Sequence, residues 1–163
     1  KQSKENYLYR IRKKTASLFE TATWAGSVLA NMNTNANEKL GQFGMNLGHA
    51  FQIFDDIRDF TDLNNKINNS GKNIGIDINN GILTLPVILS LENNFESNPF
   101  YNAIKSNEEI NVNDLGVYLI HEGFIQQASS IGNMYIQKAI NNLKHFKSNE
   151  IKNILSDIAN SIK

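Results

Sequence analysis

Apolar residues recur along most of this 163-residue chain with the spacing of an α-helix, and no run alternates as a strand would. Residues 4–30 form the first such stretch, and Ser3 stands where an N-cap residue is expected. The positions near its apolar face are Leu8, Ile11, Ala16, Phe19 and Thr23. The pattern predicts one long helix.

A second helix is predicted over residues 36–62, because Asn35 and Glu38 have the spacing of a capping box. Three glycines recur inside it at three- and four-residue steps: Gly41, Gly44 and Gly48. Each glycine in a helix interior costs about 1 kcal/mol relative to alanine. We therefore expect a stripe of small residues where another helix backbone comes close.

The rest of the chain continues the helical pattern after a loop rich in Asn and Gly over residues 63–82. Further helices are predicted to start at Thr84, with Pro86 in the first turn, at Asn98-Pro99, at Asn111 or Asn113 with an end near Gly123, and to span 124–146 and 149–162. No internal repeat is seen. The prediction is an all-α helical array that forms one domain over residues 1–163.

Composition narrows the class of protein. The chain is 40% hydrophobic and 20% charged, with a formal net charge of zero, so nothing directs it toward nucleic acid or an anionic membrane. It has no cysteine, which excludes disulfides, thiolate catalysis and cysteine-bound metals. No apolar run reaches the roughly 18 to 20 residues of a membrane span. A cytoplasmic location is the expectation.

Acidic residues concentrate in FQIFDDIRDF, residues 51–60. At about 100° per residue, the apolar side chains of this stretch fall on one side of a helix. The carboxylates Asp55, Asp56, Asp59 and Asp62 fall opposite them, with Gln52 in their midst. The wheel predicts an acidic patch facing away from the buried face.

Two interpretations of this patch are open. It is either a solvated polar face or a cation site. Asp55 and Asp59 are like charges four residues apart, which costs roughly 0.2–0.5 kcal/mol, and they lie near a helix C-terminus that disfavours anions. Divalent cations would compensate, and Mg²⁺ favours one or two carboxylates together with substrate phosphates.

Lysines near this patch raise the same question. Lys66 and Lys72 lie in the loop that follows, and Lys14 precedes Thr15 and an apolar run in the first helix. They are either ordinary solubilising residues or ligands for phosphate oxygens. A metal–diphosphate between carboxylates and lysines would account for both sets of charges.

Four motifs, taken in order, resemble the C-terminal half of the trans-isoprenyl diphosphate synthases. They are Lys14-Thr15, FQIFDD (51–56) with Asp59, GKNIGID (71–77) and NGILTLPVILSL (80–91). The resemblance runs from about residue 7 to the C-terminal end. The tail, including MYIQKAINNL (134–143), is most similar to medium- and long-chain, heptaprenyl-type members. The resemblance implies the helical fold of the isoprenoid synthases.

The resemblance also implies a chemistry, the Mg²⁺-dependent head-to-tail condensation of an allylic diphosphate with isopentenyl diphosphate. It implies that Asp55 ligates Mg²⁺ directly and that Asp56, Asp59 and Asp77 support the metal. Lys14 and Lys72 would grip the allylic diphosphate. Thr15 and Gln52 would place oxygen dipoles near the developing cation, and Asp55 and Asp56 complete the catalytic set.

The family carries two aspartate-rich motifs, whereas this chain carries one, FQIFDD with Asp59. We therefore expect an incomplete part of a synthase that is inactive alone and belongs to a homodimer when whole. A non-catalytic partner subunit of a heteromeric synthase is the alternative. A relative of the class I terpene cyclases is a third hypothesis, and the Lys-Thr and Thr-Leu-Pro elements argue against it.

Overall fold

The computed structural model describes residues 2–61, 78, 80–93, 98–106, 108, 110–147 and 150–162. All regular elements within these ranges are helices, and no strand occurs there, which confirms the all-α prediction. The α-helices are α1 Lys4–Ile11, α2 Ser17–Leu29, α3 Thr34–Thr61, α4 Leu85–Asn93, α5 Tyr101–Ser106, α6 Val112–His121, α7 Phe124–Leu143 and α8 Glu150–Asn160.

The first predicted helix is continuous, but it contains a π-helical segment, Arg12–Ala16, between α1 and α2. Ser3 caps it as expected, because its carbonyl accepts a hydrogen bond from the Tyr7 amide at 2.9 Å and its hydroxyl accepts one from the Asn6 amide at 3.3 Å. The π segment was not foreseen. Such segments are frequent at functional sites.

Helix α3 begins two residues earlier than predicted. The side-chain oxygen of Asn33 accepts a hydrogen bond from the Ala36 amide at 2.9 Å, so Asn33 is the cap. The proposed Asn35 cap is therefore wrong. Both asparagines suit an N-cap by composition, and Asn35 lies inside the first turn of the helix.

The later helix starts follow the sequence prediction. The Thr84 carbonyl accepts the first helical hydrogen bond, from Ile88, at 3.0 Å, although its hydroxyl is buried with no hydrogen-bond partner in the described parts of the chain. Asn111, not Asn113, caps α6 and accepts from the Asn113 amide at 3.0 Å. Gly123, with φ of 78°, follows the end of that helix.

The chain divides into two compact units. The first comprises residues 1–7 and 55–129. Its buried apolar side chains include Tyr7, Phe60, Leu85, Ile88, Leu115 and Phe124. Two buried polar groups satisfy each other here, because the Asn98 amide nitrogen donates to the Ser90 hydroxyl at 3.1 Å.

The second unit comprises residues 8–54 and 130–163, and its core includes Ile11, Phe43, Leu47, Ile53, Ile136 and Leu143. The predicted close approach of another helix backbone is confirmed at Gly44 and Gly48, whereas a Cβ on Gly41 would make only ordinary contacts of 3.6–3.9 Å with the side chains of Trp24 and Glu20. A Cβ on Gly48 would lie 2.5 Å from the Ala16 Cα, and one on Gly44 would collide with the Phe19 carbonyl and the Thr23 hydroxyl. Side chains at these positions would force α3 away from the first helix.

None of the described helices combines the length and the apolar character that a crossing of the bilayer requires.

The predicted loop over 63–82 falls mostly on residues that the structure does not describe.

Candidate active site

The Lys-Thr motif lies inside the π-helical segment. Lys14 is exposed, so its ammonium group is open to a ligand, whereas Thr15 is half-buried. The Thr15 hydroxyl donates a hydrogen bond to the side-chain oxygen of Gln52 at 2.7 Å. The first helix and α3 thus share a polar contact within the second unit.

Gln52 is only 6% exposed, and so it is a buried polar residue on an otherwise apolar stretch of helix. A buried amide oxygen without a donor costs about 1–3 kcal/mol, and Thr15 supplies a donor. The structure therefore brings together two residues, 37 positions apart, that the sequence analysis assigned to one site.

The acidic turn is only partly arranged as the helical wheel predicted. Its apolar side chains are buried as expected: Ile53, Phe54, Ile57 and Phe60. Asp55 is exposed and Asp59 is half-buried, also in keeping with the wheel. Asp56, however, is only 8% exposed, and Gln52 is buried as well. The expectation of a single patch opposite the buried face is therefore wrong for these two residues.

The buried Asp56 carboxylate has a tyrosine as a hydrogen-bond partner. The Tyr7 hydroxyl donates a hydrogen bond to Asp56 Oδ2 at 2.7 Å, and the Tyr7 side chain is fully buried. Both residues belong to the first unit. The sequence analysis assigned no site role to Tyr7. The sequence shows an aromatic residue at an apolar helical position, but it does not show which group its hydroxyl binds.

Phe51, at the start of the motif, packs on Phe19 with ring centroids 5.5 Å apart. Phe51 remains 36% exposed, so this contact covers only part of the residue.

A buried histidine lies one turn before this motif. The His49 ring stacks on Tyr135 at 4.8 Å between centroids, and its Nδ1 lies 2.8 Å from the Met45 carbonyl oxygen. Burial lowers the pKa of His49, and the nearby positive charges of Arg12 and Lys138 act in the same direction. The Lys138 ammonium lies 4.9 Å from the centre of the Tyr135 ring. His49 is therefore a buried residue whose neutral form is favoured.

Four charged residues of the sequence analysis lie outside the described part of the chain: Asp62, Lys66, Lys72 and Asp77. Their predicted roles in diphosphate and metal binding stay predictions.

The residues present fit a magnesium ion that also uses ligands from the substrate. Asp55 and Asp59 offer hard carboxylate oxygens one helical turn apart. In the described ranges, no group of three or more acidic or histidine side chains is placed to hold a metal ion. Mg²⁺ commonly takes one or two carboxylates and completes its shell with phosphate and water.

The described part of the chain is thus an all-α fold in which Thr15, next to Lys14, is hydrogen-bonded to Gln52, and Gln52 closely precedes Asp55 and Asp56 in sequence. The model of the family described as "Polyprenyl synthetase" matches residues 1–122. The chain belongs to this family.

Relatives with curated names agree. Heptaprenyl diphosphate synthase component 2 of Bacillus subtilis is 28% identical over 161 residues, which cover 99% of this chain and 45% of that protein. Octaprenyl diphosphate synthase of Escherichia coli is 38% identical over 86 residues, covering 53% of this chain and 26% of that protein. The chain thus spans less than half the length of the curated relatives it matches.

Solved structures show the same fold. A polyprenyl synthase from Caulobacter crescentus, in complex with calcium and isoprenyl diphosphate, superposes with a TM-score of 0.84 at 30% identity and covers 98% of this chain and 49% of its own. Heptaprenyl diphosphate synthase from Staphylococcus aureus gives a TM-score of 0.82 at 27% identity, with 99% and 50% covered.

Proposed function

We propose that this chain supplies the C-terminal part of the active site of a Mg²⁺-dependent polyprenyl diphosphate synthase. The reaction joins an allylic diphosphate head to tail to isopentenyl diphosphate and releases diphosphate. The observation that carries the proposal is the 2.7 Å hydrogen bond from the Thr15 hydroxyl to the Gln52 amide oxygen, because it joins two motifs of one catalytic pattern.

The chemistry of this pair suits a carbocation. Ionisation of an allylic C–O bond leaves positive charge on carbon, and preorganised dipoles stabilise developing charge without reorganising. A hydroxyl and an amide are neutral, so their oxygens attract the cation but are poorer nucleophiles than a carboxylate. The hydrogen bond restrains the two groups relative to each other, which supports a role for Thr15 and Gln52 as positioned dipoles.

Lys14 would bind the diphosphate of the allylic substrate. Its side chain is exposed and adjoins Thr15, so one turn of helix offers a cation for phosphate oxygens and a dipole for carbon. Lys72 would add a second cation from the residues that follow α3.

Asp55 would bind Mg²⁺ directly, with support from Asp56 and Asp59. Asp77 would support these carboxylates. The bound metal would supply positive charge to the departing diphosphate. Asp55 is exposed and able to reach a ligand in solvent, whereas Asp56 is held by Tyr7. Asp55 would therefore bind the metal directly, and its neighbour Asp56 would support it.

The relatives support this assignment. The Caulobacter crescentus polyprenyl synthase was solved with a divalent cation and an isoprenyl diphosphate together. Calcium and magnesium are both hard cations that bind oxygen ligands. Allylic and isopentenyl diphosphates are the substrates we assign to the whole protein, and a homodimer is its expected state.

A partner-subunit role is the second candidate. The relative from Bacillus subtilis is called component 2, a name that describes one component of an enzyme. In this reading, the chain would change the rate or product length of another synthase chain, and an Asp55→Ala variant would keep that effect. Loss of the effect in Asp55→Ala would favour the catalytic role.

Turnover by the complete protein tests the proposal. We expect farnesyl and isopentenyl diphosphates to be consumed, with release of diphosphate, when Mg²⁺ is present and not when it is chelated. The separate 163-residue chain should show no turnover, because it carries one aspartate-rich motif. Condensation at the same rate in chelator, or none under any condition, would overturn the proposal.

A further inference from the structure

Tyr7 is placed to orient the carboxylate of Asp56, the supporting aspartate of the FQIFDD motif. Its side chain is fully buried, and its hydroxyl donates to Asp56 Oδ2 at 2.7 Å. A distance of 2.7 Å is the usual separation of the two oxygens in an O–H···O hydrogen bond. The donor is fixed by the packing of its ring, and so it sets the direction of the acceptor.

Asp56 gains two things from this contact. The first is compensation for burial, because a carboxylate that is only 8% exposed has lost most of its water. The second is a single side-chain orientation. The Tyr7 hydroxyl binds one defined carboxylate oxygen, Oδ2, and so restricts the orientations that the Asp56 side chain can take.

The position of Tyr7 in the chain makes the contact informative. Tyr7 lies in α1, seven residues before Lys14 along the same continuous helix, and Asp56 directly follows Asp55 in α3. Both partners belong to the first compact unit. The hydrogen bond is thus a fixed feature of that unit.

We infer that Tyr7 is a positioning residue: its hydroxyl holds the Asp56 carboxylate in the orientation in which it supports binding of Mg²⁺ and diphosphate beside Asp55. This inference rests on the proposed function, which assigns the metal to the acidic turn. The contact itself, Tyr7 Oη to Asp56 Oδ2, is independent of that assignment.

Calorimetric titration of the complete protein with inorganic pyrophosphate, with and without Mg²⁺, tests the inference without turnover. We expect Tyr7→Phe to weaken Mg²⁺-dependent pyrophosphate binding by about three- to tenfold, the range expected when one side chain must be ordered on binding. Tyr9→Phe is the matched control, because Tyr9 lies on the same helix and is 64% exposed. It should bind as the wild type does.

Asp55→Ala separates the two proposals. If Asp55→Ala loses Mg²⁺-dependent binding while Tyr7→Phe keeps wild-type affinity, the positioning role is wrong and the proposed function stands. If Asp55→Ala binds like the wild type, the proposed metal site is wrong and the role of Tyr7 falls with it.

A double-mutant cycle tests whether Tyr7 acts through Asp56. Asp56→Asn removes the charge at the other end of the same hydrogen bond. We expect Asp56→Asn to weaken pyrophosphate binding, and the added Tyr7→Phe to cause no further loss. Two losses that simply multiply would show that Tyr7 acts through another residue and would overturn the inference.

Discussion

Two segments of α3 differ in what their residues contact. The glycine segment, residues 41–48, is shaped by contact, since a Cβ on Gly44 or Gly48 would enter the backbone of the first helix. The acidic segment, residues 55–59, places Asp55 and Asp59 four residues apart near the helix C-terminus, where both like charge and the helix dipole disfavour them.

The difference separates structural residues from candidate functional ones. Gly44 and Gly48 allow the close approach of the first helix, so packing accounts for the glycines at these two positions. The acidic segment keeps charges that local helix energetics oppose by a few tenths of a kcal/mol each. The proposed metal would compensate these charges. The comparison then predicts that substitution of Asp55 changes turnover and that substitution of Gly44 or Gly48 changes stability.

The largest effect is expected from Asp55→Ala. Loss of the direct metal ligand should lower turnover of the complete protein by on the order of 10³-fold, comparable to removing a preorganised group that stabilises transition-state charge. The melting temperature should change little, because Asp55 is exposed. Steady-state rates and thermal melts measure the two effects.

Asp157→Ala is the control for this charge removal. Asp157 is an exposed carboxylate on α8, and its substitution should leave both turnover and stability unchanged. Wild-type turnover in Asp55→Ala would remove the functional explanation of the acidic segment.

Gly44→Ala should show the opposite behaviour. The added methyl group would collide with the Phe19 carbonyl and the Thr23 hydroxyl, so we expect a loss of about 1–3 kcal/mol in the free energy of unfolding. Urea denaturation measures it.

Gly26→Ala is the matched control, because a Cβ there has no described atom within 4 Å and the residue lies inside α2. Alanine should stabilise that helix by about 0.5–1 kcal/mol. Equal effects at Gly26 and Gly44 would mean that the glycine segment is not set by close packing.

Most helices were predictable from the sequence, because the spacing of apolar residues is local information. Ile53, Ile57 and Phe60 mark the buried face of α3 by their spacing alone, and Asn111 marks the start of α6. The π segment was not predictable, since a change of register inside a continuous helix leaves little trace in the apolar pattern.

The candidate site was predictable as a set of motifs but not as a set of contacts. The wheel placed Asp56 with the exposed acids because it treats a helix as having one buried side. In the structure Asp56 is buried, and its carboxylate accepts a hydrogen bond from the hydroxyl of Tyr7, 49 residues away in sequence. Pairing of Thr15 with Gln52 is likewise a property of two packed helices, which no spacing within either one reveals.

Thr15→Val tests the hydrogen bond from Thr15 to Gln52, a residue that lies in α3 between the glycine segment and the acidic segment. Valine keeps the shape of threonine but removes the donor to Gln52, so unfolding should become easier by about 1 kcal/mol. Turnover should fall roughly tenfold if the dipoles act as proposed, since one tenfold step in rate is about 1.4 kcal/mol.

Thr15→Ser restores a hydroxyl and should recover most of both losses. Loss of stability without any loss of turnover would assign the pair to packing, and Thr15 would then group with the glycine segment.

The smallest effect concerns pH and follows from His49, which adjoins Gly48. Burial lowers the pKa of His49 below its ordinary value, so the unfolded chain takes up a proton more readily than the folded one. The stability that neutral His49 provides is complete above about pH 6.5 and is lost as pH falls toward the lowered value.

His49→Phe keeps an aromatic ring against Tyr135. The unfolding free energy of this variant should differ less between urea titrations at neutral and at mildly acidic pH. His145→Gln, an exposed site, should keep the wild-type difference. If His49→Phe keeps it too, the acid sensitivity arises elsewhere, and His49 is held by stacking rather than by its neutral charge state.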